Sequence, residues 1–252
     1  MADSAIVIDR RYRGFERVAQ GGYTSGLLAG FLGGSARVSL RAPVPMGEPL
    51  RVRESPTAVA LCGETDVLAE ATGTELELDL PLRPSIAEVR AASRAYPGRE
   101  RHPFPECFCC GPEREVGDGL RIFPGRIPGH DAVAAPWRPT ADLADGRGFV
   151  RPEIVWASLD CPQLWALMHS APADSKDRVV TAAMETELRA PVNAEESHTI
   201  IAWPSGGQGR RLLADAALVS ENGEPLAISR QTAVITEVGV PLGLARMAAE
   251  LS

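Results

Sequence analysis

The sequence predicts an α+β protein built from two related units, each an antiparallel sheet wrapped around one central helix. Three observations predict it. The pentapeptide Leu-Arg-Ala-Pro-Val occurs at 40–44 and again at 188–192, an offset of 148 residues (188 minus 40) in a chain of 252, so internal duplication is the first hypothesis. Each copy follows an alternating run, Ala36 to Leu40 and Ala183 to Leu188. This is the period-2 pattern of a half-buried strand, and the Pro then ends or edges that strand. Each half also carries one apolar helical stretch among several strand-like runs, the composition of a sheet closed over a helix.

In chain order, a short strand is expected at 5–9 and a helix at 21–32, a stretch so rich in glycine that burial must supply its stability. Strands follow at 37–40, 50–54, 58–62 and 67–80, the last broken at Gly73. Ser85-Ile86-Ala87-Glu88 is a capping box, in which the hydroxyl and the carboxylate satisfy the first orphan amides of a helix reaching about Ala95. Prolines 97, 103 and 105 then mark a boundary. The expected domains are an N-terminal unit at 1–83, a linker helix and Pro-rich boundary at 84–102, and a C-terminal unit at 103–252. In the second unit, strands are expected at 120–123 and 132–136, a helix at 154–169, and strands at 179–188, 198–203, 211–219 and 226–235. Asn222-Gly223 is a two-residue hairpin signal, and a short helix is expected at 241–251.

The bulk numbers narrow the function. The 26 basic and 33 acidic residues give a net charge of −7, which argues against a sequence-independent grip on nucleic acid. The partner expected is a small molecule or a second copy of the chain, so a homodimer stays open. The first eleven residues lack the pattern of a signal peptide, and no apolar run reaches membrane-spanning length. The expectation is a soluble, cytoplasmic protein. Its five cysteines, an odd number with three crowded at Cys107, Cys109 and Cys110, suit a reducing compartment and are expected as thiols.

Three stretches carry a resemblance to a known family. Gln20-Gly21-Gly22-Tyr23 with the apolar residues after it resembles the opening of the helix in double-hotdog thioesterases. Cys107-Phe108-Cys109-Cys110-Gly111-Pro112, followed by Gly119-Leu120-Arg121-Ile122-Phe123, is similar to a strand entry in phenylacetate-type hotdog thioesterases. Trp156-Ala157-Ser158-Leu159-Asp160 resembles the helix segment that holds the family's acid. The chain thus resembles the fused, double-hotdog, type II-like acyl-CoA thioesterases. The resemblance implies hydrolysis of an acyl-CoA or related thioester at the interface between two hotdog units, with no metal or cofactor. The other class is a non-catalytic acyl-CoA-binding or sensing hotdog. A DNA-binding version would require a helix-turn-helix with a basic face, and a hydratase version an Asp and His pair after the helix; neither is found.

Thioester hydrolysis needs a polarised carbonyl and an activated water or carboxylate nucleophile. The amides of Gly21 and Gly22 at a helix start suit the thioester oxygen, although these glycines also fit a role in relieving crowding between helix and sheet. Asp160 stands in an otherwise apolar segment, where an acid is costly unless it is paired, faces a cleft or is used. With Pro162 two residues on, it also reads as the N-cap of a helix. In the type II pattern the acid works with a Gln near the last strand, which fits Gln231, and with a Ser or Thr on an earlier strand. Counting back from Leu-Arg-Ala-Pro-Val puts that hydroxyl position on Glu185, with Thr186 adjacent. Glu185 is then a second acid, a partner of Arg189 or a solvated strand residue. The candidate catalytic set is Asp160, Gln231 and Glu185; the candidate substrate contacts are Gln20, Gly21, Gly22, Tyr23 and Trp156.

The first unit keeps the glycines but has Ala29 where single hotdogs keep an acid. The second keeps the acid but has Arg151-Pro152-Glu153 in place of the glycines. One composite site, made from the Gly22 end and Asp160, is the economical reading. Cys107-x-x-Cys110 is half of a zinc site by spacing, without a second pair. Cys161 reads as a buried thiol or as a nucleophile, and Arg210-Arg211 as a turn or as contacts for coenzyme A phosphates.

Overall fold

The computed structural model describes residues 4–15, 17–172 and 174–243. In chain order the elements are β1 (Ser4–Val7), α1 (Gly21–Ala29), β2 (Ala36–Leu40), β3 (Pro49–Glu54), β4 (Ala58–Cys62) and β5 (Val67–Gly73). Then come α2 (Ile86–Arg94), β6 (Gly125–Arg126), β7 (Val133–Trp137), α3 (Pro152–Ser170), β8 (Arg178–Leu188), β9 (His198–Gln208), β10 (Arg211–Val219), β11 (Pro225–Thr236) and β12 (Val240–Pro241). The capping box forms as expected, with Ser85 and Glu88 closing on each other's amides. Residues 120–123 are not a strand; Arg121 takes a left-handed φ of 53°, and the Leu120 and Ile122 amides bind the Phe108 and Cys109 carbonyls. The helix expected at 241–251 falls mostly outside the described residues, and Pro241 belongs to β12. Among the described residues no helix is long and apolar enough to cross a membrane.

The strands form one antiparallel sheet rather than two, in the order β1-β3-β4-β5-β2-β8-β11-β10-β9-β7-β6, with β12 paired to β8 beside the end of β2. The order reads alike outward from the β2–β8 junction, β5-β4-β3-β1 on one side and β11-β10-β9-β7 on the other. Each Leu-Arg-Ala-Pro-Val segment closes a central strand and makes the same bonds. Arg41 and Ala42 donate to the Leu68 carbonyl at 2.8 and 3.2 Å, and Arg189 and Ala190 donate to the Leu226 carbonyl at 2.8 and 3.1 Å. The carbonyls of Val44 and Val192 accept from Ala19 and Val150, at 2.9 and 2.8 Å. The repeated letters therefore specify a repeated turn that seats the entry to the preceding helix, α1 in the first half and α3 in the second.

Helix α1 lies on β2 and β5, α3 lies on β7 to β11, and the two helices pack against each other. Their approach is close. A Cβ on Gly22 would stand 2.7 Å from the Trp156 carbonyl oxygen, and one on Gly26 would stand 2.5 Å from the Glu153 Cα. Only hydrogen at these two positions, one turn apart, lets the helix axes come together. The crowding these glycines relieve is thus between two helices. A single apolar core runs through both halves. On the opposite face of the second half, α2 and Leu76 cover Ile201, Trp203 and Ile228 as a separate cluster.

Candidate active site

Asp160 is not a helix cap. Helix α3 begins at Pro152 and runs through Pro162, so Asp160 sits in its interior, 4 % exposed. Pro162 has no amide to give the Ser158 carbonyl one turn back, and the Cys109 thiol reaches that oxygen at 4.0 Å instead.

The Asp160 carboxylate is gripped from both halves of the chain. Oδ2 accepts from Gln20 Nε2 at 2.6 Å and from the Gly22 amide at 2.9 Å. Oδ1 accepts from Thr181 Oγ1 at 2.8 Å and from Gln231 Nε2 at 2.5 Å. Gln20 is held for this by α1, which it caps, its Oε1 accepting from the Tyr23 amide at 2.6 Å. Burial pushes the Asp160 carboxyl up to about 6, against the Gly22 amide and the Thr181 and Gln231 side chains, which favour the charged form. Gln231 also bridges to Thr181 Oγ1 at 3.2 Å. Its Oε1 is buried without a hydrogen-bond partner among the described residues.

Thr181 is the residue that counting along the strand missed. In β8 the core-facing residues Thr186 and Met184 stand opposite Ser229 and Gln231 of β11, but the register slips at Ala182, and Thr181 stands opposite Ala233. This bulge changes the parity of the strand, so an odd-numbered residue turns inward below it. Glu185 faces the other way. It pairs with Arg37 directly across the β2–β8 junction, makes no contact with Asp160, and so leaves the candidate set. Thr186 binds Ser229 Oγ at 3.0 Å, deeper in the core.

A cavity of about 490 Å³ opens on this carboxylate. Gln20, Gly21, Asp160 and Thr181 supply its polar end, while Phe15, Val44, Phe104, Leu164, Trp165 and Met168 are among the apolar residues along its length. Of the expected substrate contacts, Gln20 and Gly21 reach it. Gly22, Tyr23 and Trp156 do not. Gly22 gives its amide to Asp160, Tyr23 stacks on Tyr12 with ring centroids 3.8 Å apart, and Trp156 packs against Gly26. Arg210 and Arg211 are absent from the lining; Arg41 is the arginine present there. All five cysteines are unpaired and buried. Three of them, Cys107, Cys110 and Cys161, belong to the cavity wall.

No family model matches the chain, and no curated protein matches it in sequence. Solved structures do match. The acyl-CoA thioesterase II TesB2 of Mycobacterium marinum is 15% identical, with a TM-score of 0.56 over 87% of this chain and 91% of that one. The TesB protein of Mycobacterium avium subspecies paratuberculosis is 13% identical, with a TM-score of 0.55 over 86% of each chain. A hotdog-fold protein of unknown function from Alicyclobacillus acidocaldarius is 13% identical, with a TM-score of 0.55 over 94% of this chain and 96% of that one. At such identities the likeness is one of fold, and by fold this chain is a hotdog protein that resembles the TesB-type thioesterases along nearly its whole length.

Proposed function

We propose that the protein hydrolyses an acyl thioester, acyl-CoA in type, using Asp160 to take a proton from the attacking water. The observation that carries this reading is a buried carboxylate, held by donors from both halves, in the wall of a largely apolar cavity. An uncharged acyl chain fits the apolar length, and the thioester then lies beside Gln20, Gly21 and Thr181.

The four donors occupy both acceptor positions of each carboxylate oxygen. Three of them are amide N–H groups in fixed orientations. The Thr181 hydroxyl alone can rotate, and when it turns toward a water it frees a place on Oδ1 for that water's proton. The water oxygen bonds to the thioester carbon as the proton moves to Asp160. The C–S bond then breaks, and the proton passes from Asp160 to the leaving sulfur, giving a carboxylic acid and a free thiol. Gly22 donates to Asp160, so the first-turn amide of Gly21, at the positive end of α1, is the donor left for the carbonyl oxygen.

The symmetric strand order and the repeated Leu-Arg-Ala-Pro-Val bonds support a duplicated origin, with hotdog units at 1–83 and 103–252 joined by the linker at 84–102. The test is release of free thiol from a panel of acyl-CoAs differing in chain length. Saturable turnover by the wild type supports hydrolysis; saturable binding with no thiol released rejects it.

A further inference from the structure

We propose that Cys107, Cys110 and Cys161 form a three-thiolate site for a soft divalent metal ion, zinc(II), on the wall of the cavity. Spacing alone offers two ligands, and the fold brings the third from another element. The Sγ atoms of all three residues lie within 4.8 Å of one another, and Cys107 and Cys161 are 3.7 Å apart. With Zn–S bonds of about 2.3 Å, two sulfurs on a tetrahedral ion stand about 3.8 Å apart. The thiols are therefore already near the spacing of bound ligands.

The local chain is shaped for the same purpose. Cys107 and Cys110 are joined by a tight turn in which the Gly111 amide donates to the Cys107 carbonyl at 2.9 Å. A Cβ on Gly111 would stand 2.3 Å from the Pro105 carbonyl oxygen, so only glycine closes this turn. His102 completes the surroundings as a donor. Its Nδ1 accepts from the Phe104 amide at 2.9 Å, so the neutral ring carries its hydrogen on Nε2, which lies 3.3 Å from Cys110 Sγ. That N–H stabilises a thiolate and orients it, the part played by groups behind the ligands of metal sites. Three thiolates and no carboxylate select a soft ion over magnesium or calcium. Because all three cysteines line the cavity, the fourth position on the ion opens onto it, the arrangement that leaves room for water or another ligand. Cys62 and Cys109 lie outside the cluster.

The full chain, reduced and stripped of metal, is titrated with cobalt(II) and then with zinc(II). Expected are a thiolate-to-cobalt charge-transfer band in the near-ultraviolet that saturates at one equivalent, the visible bands of tetrahedral cobalt, and loss of both on adding zinc. The intensity of the charge-transfer band scales with the number of thiolates, so the wild type alone counts the ligands. Three thiolates support the site; two or fewer, or no band in a protein shown folded by circular dichroism, overturn it. Cys161→Ser is expected to weaken binding by more than about a hundredfold, beyond the usual effect of losing an outer partner of a ligand, while Cys62→Ser binds like the wild type. Unchanged affinity in Cys161→Ser also overturns the proposal. The readout is metal rather than hydrolysis, so failure here leaves the reading of Asp160 standing.

Discussion

Arg37 and Glu185 face each other across the β2–β8 junction and form an ion pair at the point about which the strand order is symmetric. Their separation in sequence, 148 (185 minus 37), equals the offset of the repeated pentapeptide. Under the proposed duplication they are equivalent positions of the two halves, carrying opposite charges. The row continues across the sheet, since Arg230 stands opposite Glu185 and is fixed by Asp215 at 2.8 Å through both guanidinium arms. Four strands are tied by alternating charge on the face away from Asp160. Glu185→Gln is therefore expected to keep turnover within about twofold and to lower stability by less than about 1 kcal/mol, because Arg37 is partly exposed and solvent screens the pair. Denaturant melts and the thiol-release assay check both numbers; a large loss of turnover would return Glu185 to the catalytic set.

Asp160→Asn tests the central proposal. The substitution keeps the shape of the side chain but removes the proton acceptor, so turnover is expected to fall by roughly a hundredfold or more with the fold retained. Asp160→Ala has a different effect. It leaves the donors of Gln20, Gly22, Thr181 and Gln231 facing a hole. Each buried group left unsatisfied costs about 1–3 kcal/mol, and the unfolding midpoint should drop sharply. Full turnover in a folded Asn variant would eliminate the role of this carboxylate.

Thr181 separates a rotating hydroxyl from a merely packed side chain. Thr181→Val preserves volume and should lower stability by no more than about 1.5–3 kcal/mol, the worth of one hydrogen bond to a charged group. Turnover is expected to fall by about 100-fold, the scale for one lost donor in an active site. Thr181→Ser restores the hydroxyl and most of the rate. Equal rates in the Val and Ser variants would show that the hydroxyl does no chemistry.

Most of the architecture was legible because period-2 runs and apolar helices leave local marks. The strand at 58–62 and the one at 211–219 occur at their expected bounds. Asp160 stood out as the one acid in an apolar segment and Gln231 through the type II resemblance, and the structure brings the two side chains together at 2.5 Å. Thr181 was hidden by a bulge. Counting along a strand assumes unbroken alternation, and the extra residue at Ala182 breaks it without any signature such as glycine or proline. The third thiol was hidden for a similar reason, since Cys161 is 51 residues beyond Cys110 (161 minus 110) and only packing of α3 against the 107–111 turn joins them. Expected strand 120–123 failed because Arg121 turns to a positive φ of 53° and the amides beside it bind carbonyls of the 107–111 turn rather than a neighbouring strand.

Gln20 ties the first half to the carboxylate of the second, which makes it the sharpest probe of a composite site. Its amide has two tasks, since Oε1 caps α1 at the Tyr23 amide while Nε2 binds Asp160 Oδ2. Gln20→Ala removes both. Loss of the cap should cost about 1 kcal/mol of stability, and the bond to a charged acceptor another 1.5 kcal/mol or so, so a lowered unfolding midpoint is expected. Turnover per folded molecule should also fall, by at least about tenfold, because that second energy corresponds to one factor of ten in rate when it is needed to hold the base. The decisive comparison is with a cap lost elsewhere. Ser85→Ala at the start of α2 removes an equally formed cap far from the cavity, and it should lower the midpoint while leaving turnover per folded molecule unchanged. If Gln20→Ala behaves the same way, Gln20 contributes stability alone, and the first half reaches the site only through the amides of Gly21 and Gly22.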